Sequence, residues 1–97
     1  MVQVLLTKSA QLDLAEAVDW YNANAPHVVD RFRGSLRGAM HRIANNPLQF
    51  SLVLRDVRKA MMAGFPYLIL FQLSDDAAFV IAMFHMSRDH RSWQTRA

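Results

Sequence analysis

The amino-terminal third of the chain begins with a short apolar run and continues with a helical pattern. Residues 2–6, VQVLL, are typical of a strand, and Ser9 is a predicted helix N-cap. Apolar side chains then recur at helical spacing: Leu14, Ala17, Val18, Tyr21 and Ala25. Asp13, Glu16 and Asp19 are assigned to the first turns, where the helix dipole favours carboxylates. Asn24, Ala25 and Pro26 mark the expected end of the helix.

A second helix is predicted just after Pro26. Its apolar face consists of Val29, Phe32, Leu36, Met40 and Ile43, and the sequence Asn45-Asn46-Pro47 ends the pattern. Arg33, Arg37 and His41 share a different face at a spacing of four. Two helices joined by a short turn form an antiparallel hairpin whose apolar side requires a cover.

Three apolar segments in the second half are predicted to be strands: residues 57–63, 66–73 and 78–86. Gly64 and the Ser74-Asp75-Asp76 sequence separate them, and these short connections favour an antiparallel meander. The predicted fold is therefore α+β, in the order β-α-α-β-β-β. Two antiparallel helices pack on one face of a small, mainly antiparallel sheet, and residues 1–97 form a single domain.

The last two predicted strands are apolar on both faces. Tyr67, Ile69, Phe71 and Leu73 alternate with Leu68 and Leu70, and Phe79, Ile81 and Met83 alternate with Val80, Ala82 and Phe84. Two helices cover only one face of a sheet. Either the loop of residues 47–55 and the carboxyl terminus fold over the second face, or a partner chain completes the core.

Composition supports a small protein with a binding role. Hydrophobic residues make up 53% of the chain and charged residues 20%, which is rich in apolar surface for one small domain. The chain has no cysteine, and it shows neither a membrane-spanning run nor a signal peptide, so we expect a cytoplasmic protein with no membrane partner.

The net charge of +3 is unevenly distributed. One acid, Asp56, stands against seven basic residues between positions 31 and 59: Arg31, Arg33, Arg37, Arg42, Arg55, Arg58 and Lys59. This run is either a solvated face or a patch for nucleic acid or an acidic protein segment.

The sequence FHMSRDHRSW, residues 84–93, is the main candidate for chemistry. His85 could exchange protons near neutral pH, but a histidine at a strand end more often anchors the structure. His85, Asp89 and His90 lack the spacing of a metal site. No hydrolase motif or glycine-rich phosphate loop is present, so we expect no metal and no cofactor.

Gly34 and Gly38 lie four residues apart in the second predicted helix, where each costs roughly 1 kcal/mol relative to alanine. Either the two helices pack closely there, or a partner helix approaches.

Taken in order, several residues resemble the RelE/ParE toxin superfamily of type II toxin–antitoxin modules, and its ParE-like branch in particular. The first half contributes Ala10, Asp13-Leu14, Trp20-Tyr21, Pro26, Arg31-Phe32, Leu36, Ile43 and Pro47. The second half contributes Arg58, Phe65-Pro66-Tyr67, Ile69, Phe71, His85, Arg88-Asp89, Trp93 and Arg96. His90 stands where the family often has a proline, which puts the placement of the tail in doubt.

The resemblance implies two helices on a small sheet and a cognate antitoxin, in a toxin–antitoxin complex of higher order. ParE-like members are described as inhibitors of DNA gyrase that act by binding. The expected partner-binding residues are Arg33, Arg37, Tyr67, Leu68, Leu70, Phe84 and Trp93. Direct binding of nucleic acid stays open.

Two other functions stay open. A RelE-like ribosome-dependent mRNA endonuclease would use Arg58, Lys59 and Arg88 to hold phosphates and His85 to transfer protons. A degenerate member would bind its antitoxin without toxicity.

Overall fold

The computed structural model describes residues 1–87 and 91–97, with the backbone alone at 91 and 92. The helices are α1 (Lys8–Asn24) and α2 (Val29–Asn45), and the strands are β1 (Gln3–Leu6), β2 (Leu52–Leu54), β3 (Val57–Met61), β4 (Tyr67–Ser74) and β5 (Ala77–His85). Short 3₁₀ helices cover Pro26–Val28, Pro47–Gln49 and Arg91–Arg96.

Helix α1 begins earlier than the sequence predicts. Thr7, not Ser9, is the N-cap, and its side-chain oxygen accepts a hydrogen bond from the Ala10 backbone N–H at 3.2 Å. Thr7 also extends the sheet, because its N–H donates to the Val80 carbonyl at 3.0 Å. The strand therefore passes directly into the helix, and no acidic residue lies in the first turn. The predicted end at Asn24 is confirmed.

Helix α2 starts three residues after Pro26, because the proline opens a 3₁₀ turn first. Its end at Asn45 matches the prediction. The account of Gly34 and Gly38 as a close helix–helix contact is wrong. A Cβ added at Gly38 would meet no atom within 4 Å, and one at Gly34 would meet only the Arg37 guanidinium at 3.7 Å.

The five strands form one sheet in the order β1-β5-β4-β3-β2. Strand β1 pairs in parallel with β5, and the other neighbours are antiparallel. The predicted α+β architecture is confirmed, with one addition. Residues 47–55, expected to be a loop, contain the edge strand β2, which forms a hairpin with β3 through a turn in which Arg55 has a φ of 50°.

A β-bulge shifts the alternation of β5. Leu70 pairs with Ala82 and Phe71 with Val80, so Ile81 is an extra residue without a partner in the register. As a result, Met83 joins Val80 in the core under the helices, while Ile81 and Ala82 lie together on the other face. The predicted alternation of residues 79–84 is wrong beyond Val80 for this reason.

The main core lies between the helices and the sheet. Phe32 and Ile43 of α2 and Ile69 and Phe71 of β4 have no exposed surface. Burial of one such side chain stabilises the fold by about 1.5–3 kcal/mol. Aromatic rings continue this core toward the β3–β4 turn, where Phe32 lies 5.2 Å from Phe65 and 5.3 Å from Tyr67, centroid to centroid.

The second face of the sheet carries its own small cluster of Val57, Leu70, Ile81 and Ala82, each at most 3% exposed. Phe84 and Trp93 pack against this cluster. The carboxyl-terminal segment thus covers the centre of the second face, as one of the two alternatives expects. Residues 47–55 do not, because Phe50 packs on the helix side against Phe71.

Candidate functional site

An ion pair fastens the carboxyl-terminal segment to α1. The Arg96 guanidinium donates to both carboxylate oxygens of Asp13, at 2.6 and 3.3 Å. Arg96 also donates to the Ile81 carbonyl at 3.1 Å, and Asp13 accepts from the Met83 N–H at 3.0 Å. Strand β1 ends opposite Val80, so these two side chains bond the edge of β5 beyond the end of β1.

An aromatic groove lies beside the helix hairpin. A cavity of about 620 Å³ is lined by Trp20, Tyr21, Ala25, Val28, Arg31, Ala63, Gly64, Phe65 and Pro66. Trp20 is 52% exposed, and its ring meets Tyr21 edge to face at 5.1 Å. Burial raises the pKa of the Tyr21 phenol, which keeps the group neutral near pH 7. The groove is mainly apolar, with the Arg31 guanidinium as its cation.

A second cavity of about 260 Å³ shares Trp20 and Tyr21 with the first and also contacts Tyr67, His85 and Ser87. Nδ1 of His85 accepts a hydrogen bond from the Ser87 N–H at 3.1 Å and lies 2.7 Å from the Ser87 hydroxyl. Nδ1 is therefore the acceptor in the contact with the Ser87 backbone. The His85 ring packs edge-on against Tyr67 at 5.4 Å. These contacts give His85 an anchoring role at the end of β5.

The structure does not bring the proposed nuclease residues together. Arg58 donates to the Phe50 carbonyl at 2.7 Å, which fixes the segment before β2. Lys59 lies on the opposite face of β3, because neighbouring strand residues alternate. Arg58 pairs with Phe71 and His85 with Tyr67, a separation of about 13 Å along the sheet at about 3.3 Å per residue. Arg88 lies outside the described residues.

The predicted partner-binding residues fall into three places. Arg33 and Arg37 are exposed on α2, and Tyr67 is buried under the helices at 6% exposure. The others belong to the second face: Leu68, Leu70, Phe84 and Trp93. Leu70 is only 2% exposed, whereas the other three are half-buried. A partner of the folded chain can therefore contact Leu68, Phe84 and Trp93. It cannot contact the buried side chains of Leu70 and Tyr67.

The basic run from residue 31 to residue 59 divides between α2 and the β2 edge. Arg31, Arg33 and Arg37 are exposed on α2. Arg42 donates to the Met61 carbonyl at 2.8 Å and so lies near the end of β3. Arg55, Arg58 and Lys59 belong to the hairpin of β2 and β3 itself.

Residues 1–87 and 91–97 contain no group of three or more histidine, aspartate or glutamate residues that could hold a metal ion. Asp89 and His90 lie outside the described residues. No helix in the same ranges is long and apolar enough to cross a bilayer.

Sequence reasoning missed the Asp13–Arg96 pair and the aromatic groove. Asp13 was assigned to the helix dipole, although it is the sixth residue of α1. The exposed Trp20 directly before the buried Tyr21 was a usable signal, because a large aromatic on a solvent-facing helix position is typical of a binding surface.

Comparison with known proteins agrees with the two-helix, five-stranded architecture. The chain superposes on a chain of the chromosomal ParDE toxin–antitoxin system of P. aeruginosa with a TM-score of 0.77 and 14% identity, covering 90% of this chain and 98% of that one. It also superposes on the isolated E. coli RelE toxin, with a TM-score of 0.55 and 14% identity, covering 98% and 95%. These likenesses show that the chain shares the two-helix, five-stranded fold of both structures.

The sequence gives the family. A sequence model described as the ParE toxin of the type II toxin–antitoxin system parDE matches residues 4–90. The chain therefore belongs to the ParE toxin family, and the predicted resemblance is confirmed. No curated protein sequence matches the chain.

Proposed function

We propose that this chain is a growth-arresting toxin that binds and inhibits DNA gyrase in the cytoplasm and is neutralised by a cognate antitoxin. The observation that carries the proposal is the family match over residues 4–90. The antitoxin is proposed by analogy with the similar P. aeruginosa structure, which is of a ParDE system.

The geometry favours binding over phosphate chemistry. Arg58 bonds a backbone carbonyl, and His85 lies far from it along the sheet. A nuclease that stabilises a charged phosphorus needs its cations and its proton-transfer group around one point. Among the described residues this chain offers instead an aromatic groove and exposed apolar side chains, which are typical of protein–protein interfaces.

Of the residues expected to contact a partner, the accessible ones are proposed to do so: Arg33 and Arg37 on α2, and Leu68, Phe84 and Trp93 on the second face. A complex of higher order with the antitoxin remains part of the proposal.

Controlled expression in bacteria tests the function. Induction without antitoxin should stop growth, induce the DNA-damage response and leave total mRNA intact. The double variant Arg33→Glu and Arg37→Glu should weaken growth arrest or antitoxin rescue, because it reverses two exposed charges. Substitution of both residues by lysine keeps the charge and serves as the matched control.

Two outcomes would contradict the proposal. Rapid loss of intact mRNA without DNA damage would indicate the RelE-like endonuclease, whose fold this chain shares. Growth that continues normally, with the chain folded and present, would indicate the degenerate, antitoxin-binding member.

A further inference from the structure

The outer edge of the sheet at β2 is apolar, basic and available for strand pairing. We infer that β2 receives an additional strand from the antitoxin, supplied by an extended segment in which apolar and acidic side chains alternate. The inference rests on the proposed function, because it adds a further surface to those proposed to contact the antitoxin.

The backbone of β2 is oriented for this pairing. The Lys59 N–H donates to the Ser51 carbonyl at 3.0 Å, and Leu52 faces Arg58 in the register. Hydrogen-bonded and non-bonded pairs alternate in an antiparallel ladder. Leu52 therefore belongs to a non-bonded pair, and its N–H and carbonyl point away from β3. An added strand would bond to these two groups.

The side chains at this edge are those of an interface. Leu52, Val53 and Leu54 are 55%, 41% and 37% exposed. Leu48, which precedes β2, and Met61, at the end of β3, are 67% and 50% exposed. Free sheet edges are commonly guarded by polar or charged side chains on the strand itself. Three consecutive exposed apolar residues on an edge strand instead favour a partner that buries them.

Charge selects the type of partner. Arg55, Arg58 and Lys59 belong to the β2–β3 hairpin, and Arg42 bonds the Met61 carbonyl at the end of β3, whereas the hairpin carries the single carboxylate of Asp56. Asp56 already accepts a hydrogen bond from the Gln72 amide at 3.0 Å. An incoming strand with acidic side chains would complement this field, and one with basic side chains would be repelled.

The same charges argue against a second copy of the chain. Pairing of β2 with β2 would bring two sets of four basic residues together across the new ladder, and like charges across strands destabilise the pairing. The bulge between Leu52 and Leu54 and the short length of β2 also limit self-association. Both features leave room for a short acidic strand.

Peptide binding to the purified chain tests the inference. The probe is a fluorescently labelled short peptide of alternating valine and glutamate, followed by anisotropy. It should bind the wild-type chain, and more weakly as salt rises. Leu52→Pro removes the outward N–H, which the β2–β3 ladder does not use, and should weaken binding about tenfold. Leu52→Ala keeps the N–H and should weaken it less.

Two further binding measurements control for misfolding of the proline variant and for nonspecific attraction. Lys59→Glu leaves the backbone of the edge intact, and it should also weaken binding of the acidic peptide several-fold. A peptide with lysine in place of glutamate should not bind the wild-type chain. Failure of the wild-type chain to bind the acidic peptide would overturn the inference. So would equal binding by the folded proline variant, equal affinity for the lysine peptide, or dimerisation of the chain through β2.

Growth assays in bacteria distinguish failure of this inference from failure of the proposed function. If the chain is no toxin, the wild type alone does not stop growth. If the chain is a toxin but β2 is not the antitoxin's site, co-expressed antitoxin rescues cells making Leu52→Pro as fully as cells making the wild type. We expect the proline variant to keep its toxicity and to escape the antitoxin.

Discussion

Asp13 makes hydrogen bonds that connect distant parts of the chain. Its carboxylate joins α1, the bulged strand β5 and the carboxyl-terminal Arg96. The end of β1 explains the need for it, because β5 runs past β1 and its edge groups lack a strand partner there. A side-chain acceptor and a side-chain donor replace the missing strand.

Replacement of Asp13 by alanine should lower the free energy of unfolding by about 2 kcal/mol, because it leaves the Met83 N–H and the Arg96 guanidinium without this acceptor. Asp13→Asn, which keeps an acceptor oxygen, should cost less. In a double-mutant cycle with Arg96→Ala, measured by urea unfolding, the coupling should be about 1 kcal/mol. Strictly additive effects would show that the pair contributes nothing to stability.

At the scale of elements, periodicity predicted both helices and the three long strands because each has enough residues to repeat its pattern. It missed β2, since three apolar residues after a proline-containing turn carry no period. It also misplaced residues 81–84, because a strict alternation cannot register the extra residue at Ile81. The start of α1 was also missed, because Thr7 both pairs with the sheet and caps the helix, and no loop separates the two elements.

Gly38 gives a direct test of the exposed face of α2. Gly38→Ala should raise the free energy of unfolding by about 0.5–1 kcal/mol, since the added methyl group meets open space and the helix gains propensity. Gly64→Ala is the matched control and should destabilise, because Gly64 has a φ of +77°. Thermal unfolding of both variants checks this. A destabilised Gly38→Ala protein would mean that the face is not free in the isolated chain.

For the whole molecule, the apolar composition predicts a binding protein, and the structure shows which apolar side chains stay exposed. The two-faced strands suggested an open second face, yet Phe84 and Trp93 pack over its centre. Packing of a distant tail leaves no local signal, so the sequence could only offer it as an alternative. Among the described residues, the exposed large apolar side chains include the three of β2 and Trp20.

Family membership came from the order of many weak signals along the chain, and the match over residues 4–90 bears it out. The target of the toxin is a different matter, because similar folds include both ParE and RelE. One architecture can carry different activities, and only the residues at the contact with the target distinguish them.

The most direct test of the central claim is the activity of purified DNA gyrase on plasmid DNA in the presence of the purified chain. We predict that the chain alone, with no ribosome present, blocks supercoiling and leaves gyrase trapped on cleaved DNA, and that the antitoxin reverses the effect. Unchanged gyrase activity, together with cutting of mRNA on ribosomes by the same preparation, would contradict the account.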